Sequence, residues 1–527
     1  MTGTWPLVRL ALRRDRVLLP AWIIGLSLMV ASSVAATRDL YPTQESLTSA
    51  AETINATAAL VALYGKVYDP TSLGAISLIK LTAFGAAIVG IVFIFIVIRH
   101  TRAEEESGRL ELVGAGAVGR AAPLTAALIV SMGASLALGV LTALGIGAVG
   151  LAWSGAFAFG VSWALAGIVF SAIAAVAAQV MTSARAAIGV GVAAVGAAYA
   201  LRAVGDLGAA DPGWLSWLSP VGWSQQIRPF AGDRWSIALL PIVATAVLVP
   251  IAYSLRARRD LGSGLVPERA GPAQGAIGGV MGLAWRLQRG LFIAWALGSA
   301  LMGMVLGSVA HTIAGLLNSP QMAAFFEALG GSQGLTTMFL AAEIGILGSL
   351  VGAYAIAAAS RLRSEETAGH VELLLSTPAS RLRWATSHLV FACVGSAIII
   401  LITGTAIGFA HGLAIGDVGG QVPRLFAASA GQIPAALVIA GIVMLLFGVA
   451  PRLVVGAWGL LVAFIVVGEF GSLWQLPQWV LDLSPFAHSP RLPGGDVELG
   501  QLALLTGIAA VLLAVGLATW RRRDLRP

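Results

Sequence analysis

The 527 residues contain one cysteine, Cys393, inside an apolar run, so no intramolecular disulfide can staple the fold. Lysine is nearly missing: Lys66 and Lys80 stand alone, and arginine supplies the other 30 of 32 basic residues. Charge of either sign is scarce, 11% of the chain against about 25% in soluble domains. A soluble surface could not be covered with so few charges. The six histidines (100, 311, 370, 388, 411 and 488) show no metal-ligand spacing. No Gly-x-x-x-x-Gly-Lys-[Ser/Thr] phosphate loop occurs, and the Gly65-Lys66 pair lacks the following hydroxyl residue. These shortages weigh against a disulfide scaffold, a metal centre, a nucleotide-hydrolysing enzyme and a nucleic-acid binder.

What remains is apolar. Hydrophobic residues make up 58% of the chain, mean hydropathy is +0.88, and the 64 glycines are dispersed among Leu, Val, Ile and Ala. A bilayer core of about 30 Å takes roughly 20 helical residues, and the stretches between charges supply that length repeatedly. The runs predict an all-α polytopic membrane protein with twelve spans. Six fall near 17–37, 75–98, 121–149, 158–181, 186–204 and 236–256. The others fall near 290–311, 336–360, 385–410, 427–448, 454–470 and 500–520. With a cytoplasmic N-terminus, 24 Lys and Arg lie on inside segments and 8 outside, as the positive-inside rule requires. Both termini are therefore expected in the cytoplasm. Arg13-Arg14 before an apolar run also fits a cleaved signal peptide, but removing that span would invert the charge bias.

Searching for repeats reveals a duplication. A shift of 261 residues aligns Arg102, Glu104, Glu105, Gly108, Glu111, Leu112 and Arg120 with Arg363, Glu365, Glu366, Gly369, Glu372, Leu373 and Arg381. Slightly different offsets match Trp22 and Gly25 with Trp295 and Gly298, and Arg185 and Gly189 with Arg452 and Gly456. They also match Ser219-Pro220 with Ser484-Pro485, and Arg258-Arg259-Asp260-Leu261 with Arg522-Arg523-Asp524-Leu525. Six spans separate the copies, an even number, so the expected architecture is two parallel six-helix repeats. The halves cover 1–260 and 285–527, joined by a cytoplasmic linker at 261–284 rich in Gly, Pro and Ala.

The duplicated loops between spans two and three, and eight and nine, carry the densest charge. On one helix beginning near Ala103, Glu104, Gly108 and Glu111 share a face, with a bare glycine between two carboxylates; Glu365, Gly369 and Glu372 repeat it. Leu112, Leu373 and Leu374 read as an apolar anchor, and Arg120 and Arg381 close the motif. A solvated helix at a membrane face has the same composition. A paired-carboxylate hydrolase would need a nucleophile or metal ligands, which are not evident.

The run Glu-Glu-x-x-Gly-x-x-Glu-Leu-Leu-x-x-x-Pro-x-x-Arg from Glu365 to Arg381 resembles the loop after the second span of type-2 ATP-binding cassette (ABC) exporter permeases. The fused twelve-span form is similar to actinobacterial antibiotic and multidrug exporter permeases. The resemblance implies a bacterial cell-membrane permease that moves a hydrophobic or amphiphilic compound, drug or lipid-like, out of the cytoplasm. It implies coupling helices that dock into ATPase subunits: Glu104, Glu105, Gly108, Glu111 and Arg120 in one dock, Glu365, Glu366, Gly369, Glu372 and Arg381 in the other. Two docks imply two ATPase copies, with ATP and Mg held in those partners and no cofactor in this chain. The first copy departs from the pattern, with Ala117 in place of Pro378 and Val113-Gly114 in place of Leu374-Leu375.

Lys80 and Glu343 precede their loops by 24 and 22 residues, about 33–36 Å along a helix. Both are expected at the outer edge, either as partners in an outer gate or simply snorkelling. Glu469 also ends an apolar span there. Trp214, Trp217, Trp223, Trp235, Trp474 and Trp479 cluster beside prolines in outside segments, as interfacial belts do. Two rivals stay open: an ion-coupled secondary transporter, which calls for charges at mid-membrane, and a lipid-acting membrane enzyme, which calls for clustered catalytic side chains.

Overall fold

The computed structural model describes residues 2–56, 58–207, 212–266, 278–315, 331–470 and 477–524. Hydrocarbon offers no hydrogen bonds, so a spanning backbone must satisfy itself within a helix or a closed barrel. Helix is the outcome throughout, with no strand among the described residues. Eleven helices among them are long and apolar enough to cross a membrane. The chain divides into two compact units, Met1–Gly271 and Pro272–Pro527.

The first unit opens with α1 (Thr4–Arg14), which buries Val8 and Ala11 and exposes Trp5, Leu10 and Leu12 beside its arginines. That is the pattern of a helix lying in a membrane interface. The apolar helices α2 (Leu18–Leu40) and α3 (Leu73–His100) follow. Two short helices, α4 (Arg102–Glu106) and α5 (Arg109–Gly114), lead into α6 (Ala122–Ala148). Then come α7 (Trp153–Val180), α8 (Ala184–Asp206) and α9 (Leu239–Arg258). Serine hydroxyls mark several starts: Ser72, Ser183 and Ser219 each accept from a backbone N–H three residues on. The core gathers around Phe93, Phe159, Trp163 and Phe170 on α3 and α7. Trp163 donates its indole N–H to the Leu81 carbonyl at 3.0 Å. Helices α6 and α7 cross at Gly139 and Gly160, where an added Cβ would stand 2.5 and 2.3 Å from the facing carbonyl oxygen. Small residues let membrane helices approach in this way. On α9, Leu239, Ile242, Val243 and Val247 are exposed, an apolar face of the kind a bilayer covers.

The second unit contains α10 (Gly279–Gly315), α11 (Gly331–Ala359), and the short pair α12 (Arg361–Thr367) and α13 (His370–Leu375). It continues with α14 (Arg381–Ile415), α15 (Val418–Ala430), α16 (Ile433–Val449), α17 (Gly456–Phe470) and α18 (Leu499–Arg522). Its core is aromatic: Trp384, Trp520 and Phe447 pack at tilted angles with centroids 4.9–6.5 Å apart.

Three boundaries differ from the sequence reading. Helix α10 starts eleven residues early, so the last six residues of the expected linker are helical; Ala284 and Gln288 are buried there, and packing outweighs the glycines. The expected tenth span is two helices broken near Gly431-Gln432, ahead of Pro434. The expected eleventh span begins two residues late, at Gly456, and is helical as far as the described residues run, to Phe470. Linker residues 267–277 and Trp474 lie outside the described residues, as do the side chains of His311 and Glu469.

Candidate coupling site

Each unit places its duplicated acidic loop where three elements meet. In the first, α3 ends at His100, Thr101 breaks the helix, and α4 carries Glu104 and Glu105. The single helix expected from Ala103 does not form. Gly108 adopts φ +71 and starts a second short helix, α5; Gly369 does the same at φ +74 between α12 and α13. This left-handed turn, costly for any residue with a Cβ, is what the glycine is for. Glu104 and Glu111 therefore do not share one continuous helical stripe, and neither do Glu365 and Glu372.

The second carboxylate of each loop points inward. The Glu105 side chain is 4% exposed and takes a bidentate contact from Arg259 at 2.6 and 2.8 Å, with Arg102 at 2.5 Å. Arg259 is held further by Gln179 at 2.9 Å and the Ser263 carbonyl at 2.8 Å. In the second unit Glu366, 3% exposed, pairs with Arg523 at 2.6 Å and Arg363 at 3.1 Å. The Arg523 guanidinium lies over Trp520 and Phe447, at 5.1 and 5.2 Å from the ring centres. Arg120 donates to the Arg259 carbonyl at 2.5 Å, and Arg381 to the Arg523 carbonyl at 2.6 Å. Two separately duplicated motifs, the acidic loop and the Arg-Arg-Asp-Leu at the end of α9 or α18, thus meet in each unit. The pairing latches the loop to the end of α9 in one unit and of α18 in the other. Both motifs were visible as repeats, but nothing in their spacing said that they touch.

The first carboxylates are also engaged. Glu104 contacts Arg14 of α1 and Arg109 at 3.3 Å. Glu365 contacts Arg361 at 2.6 Å and His370 at 2.9 Å. Glu106 accepts from the Ala184 N–H at 2.8 Å and so caps α8. Buried Asp15 meets His100 at 2.5 Å and Arg99 at 3.1 Å, tying α1 to the end of α3. In the second unit Gln288 and His388, 3.0 Å apart, join α10 to α14.

What projects outward is the tip after each glycine. Leu110 and Val371 anchor α5 and α13 inward, while Leu112 and Leu373, expected as anchors, are 79% and 71% exposed. Glu111 and Glu372 are exposed beside them, and an added Cβ at Gly108 or Gly369 would meet open space. Each tip is thus a Glu-Leu pair on a base fixed by buried ion pairs.

At the far ends of the helices, Lys80 holds its ammonium 5.8 Å from the Tyr64 ring centre, and Glu343 is half-buried on α11. A buried pair there escaped the sequence reading, which treated Arg202 as part of an outside segment. Arg202 and Asp206 lie 3.4 Å apart on α8, and Arg202 also donates to the Val61, Ala62 and Leu63 carbonyls. The available signal was opposite charges at i and i+4 closing an apolar run. Among the described residues, no group of three or more His, Cys, Asp or Glu is placed to hold a metal ion.

A family model described as "Multidrug efflux system permease Rv1217c, C-terminal domain" matches residues 6–255 and 277–521. The chain is 46% identical over 529 residues to the multidrug efflux system permease protein Rv1217c of Mycobacterium tuberculosis (strain ATCC 25618 / H37Rv), covering all of this chain and 96% of that protein. With most of its length matched by one model and its whole length by one relative, the chain belongs to the Rv1217c family of multidrug efflux system permeases.

Proposed function

We propose that the chain is the membrane subunit of an ATP-driven exporter that moves hydrophobic or amphiphilic drugs out of the cytoplasm. Separate ATPase subunits, two copies, would bind the Gly108 and Gly369 tips from the cytoplasmic side of the cell membrane, where the arginine bias also puts both termini. The observation that carries the reading is the duplicated tip: an exposed Glu-Leu pair, Glu111-Leu112 and Glu372-Leu373, on a base latched to the end of a membrane helix. An exposed leucine flanked by a carboxylate suits a groove on another protein, and a stiff base passes displacement into the bundle instead of absorbing it. The sequence has no phosphate loop of its own, so hydrolysis belongs to a partner. The relative's name, a multidrug efflux system permease, supports drugs as cargo and export as the direction.

The test is co-purification with candidate ABC ATPase subunits co-expressed from the same genome. Leu112→Asp combined with Leu373→Asp is expected to abolish capture of the ATPase while leaving membrane insertion and thermal stability intact. Complete uphill drug transport by the chain alone in liposomes, with no nucleotide hydrolase present, would end the proposal.

A further inference from the structure

The second unit carries a half-open cavity of about 970 Å³ between α11, α17 and the segment around 478–495. It lies toward the end of α11 remote from the acidic loop. Ser349, the wall residue nearest that loop, is ten residues from Ala359 at the helix end, about 15 Å along the helix. Drug-sized sites occupy about 300–1,000 Å³, apolar on most sides with a few placed polar groups. This cavity is of that size, with polar groups making up nearly half of its lining, which suits an amphiphile better than a purely apolar molecule. Met338, Ile346, Phe464 and Phe486 supply apolar walls. Gln432, buried at the break between α15 and α16, makes one long contact of 3.4 Å to the Pro490 carbonyl. Ser489 is 8% exposed, and its hydroxyl has no hydrogen-bond partner. Burying an unpaired hydroxyl is costly, and this one belongs to a residue of the cavity wall, where a polar group of a ligand would relieve that cost.

Charge decides the ligand class. The lining holds one acid, Asp482, and one base, Arg491, both exposed, so the wall has no net charge to select an ion. In the first unit the segment after the matching Ser-Pro pair packs inward instead. The Gln225 carboxamide presses against Gly65, and the Phe230 ring against both Gly74 and Gly155. The two units therefore differ at a place where their sequences correspond.

We infer that this cavity binds uncharged, ring-bearing amphiphiles of drug size, with Ser489 and Gln432 meeting the ligand's polar edge. The inference takes its place in transport from the efflux reading above, but binding is measurable without it. Gly345 lines the cavity, and a Cβ built on it meets nothing within 4 Å, so a larger side chain enters the space without displacing the fold.

The probe is Nile red, a neutral aromatic dye with a carbonyl acceptor, titrated by fluorescence polarisation into the purified full chain. Saturable binding is expected, weakened at least tenfold by Gly345→Phe and several-fold by Ser489→Ala. Gly459→Phe is expected to bind as the wild type does, because Gly459 is exposed on α17 and does not line the cavity. Absence of saturable binding to the wild type overturns the inference, as does wild-type affinity in both Gly345→Phe and Ser489→Ala. If the wild type binds the dye but exports no drug when joined to its ATPase and ATP in liposomes, the exporter reading fails and the binding site stands.

Discussion

Glu105 and Glu366 show how one residue type takes different duties within a single short loop: each has a carboxylate directly before it and another six positions after it. Sequence reasoning grouped three carboxylates per loop, six in the pair, as docking contacts because all are acidic and duplicated. Burial separates them. Removing one partner of a buried ion pair leaves the other charge uncompensated, at about 3–5 kcal/mol. Glu105→Ala strands both Arg102 and Arg259, which are buried, and is expected to lower the thermal unfolding midpoint in detergent by that order of energy. Glu111→Ala, an exposed position, should stay within about 0.5 kcal/mol of the wild type. Equal midpoints for the two variants would contradict the latch. The sequence contained the Arg-Arg-Asp-Leu repeat and the acidic repeat, but their contact spans 154 residues, and no local periodicity records an encounter at that distance.

At the level of elements, the short helices flanking Gly108 and Gly369 replace the one continuous helix that the Glu-x-x-x-Gly-x-x-Glu spacing suggests. The left-handed turn re-aims α5 and α13 so that Leu110 and Val371 face in while Leu112 and Leu373 face out. Forcing a Cβ into that conformation costs about 1–2 kcal/mol. Gly108→Val with Gly369→Val is therefore expected to lower stability modestly but to cut ATPase capture strongly, since the tips lose their direction. Pull-down of the partner alongside a melting curve separates the two effects; unchanged capture would show that the turn does not aim the tip. Helix existence was legible here and helix direction was not. Apolar content decides whether a segment enters a helix, whereas a single φ angle decides where the next one points.

The whole molecule raises the question of whether the two acidic loops face the same side of the membrane, as parallel repeats demand. Cysteine chemistry suits the test, because Cys393 is the single native thiol and Cys393→Ser clears the background. Leu112→Cys and Leu373→Cys, each exposed, are expected to react with a membrane-impermeant maleimide in inverted vesicles and to stay protected in intact cells. Labelling of the two positions from opposite sides would rule out the parallel arrangement. Residue counts of arginine supplied the expectation of a cytoplasmic face, through a field that acts on each loop during insertion.

By itself the chain determined that it is helical and built for a bilayer: continuous apolar runs of about 20 residues are too long for the strands of a closed barrel, which leaves the helix. It also displayed its duplicated motifs, since copies survive as written identities. Only the tertiary structure decided which of those motifs touch. It turned Glu105 and Glu366 inward, paired Arg202 with Asp206 inside the first unit, and left a cavity in the second unit. The reason is physical. Secondary structure in lipid follows from local polarity, whereas ion pairing and cavity shape depend on side chains brought together from distant parts of the chain, through close crossings such as Gly139 with Gly160.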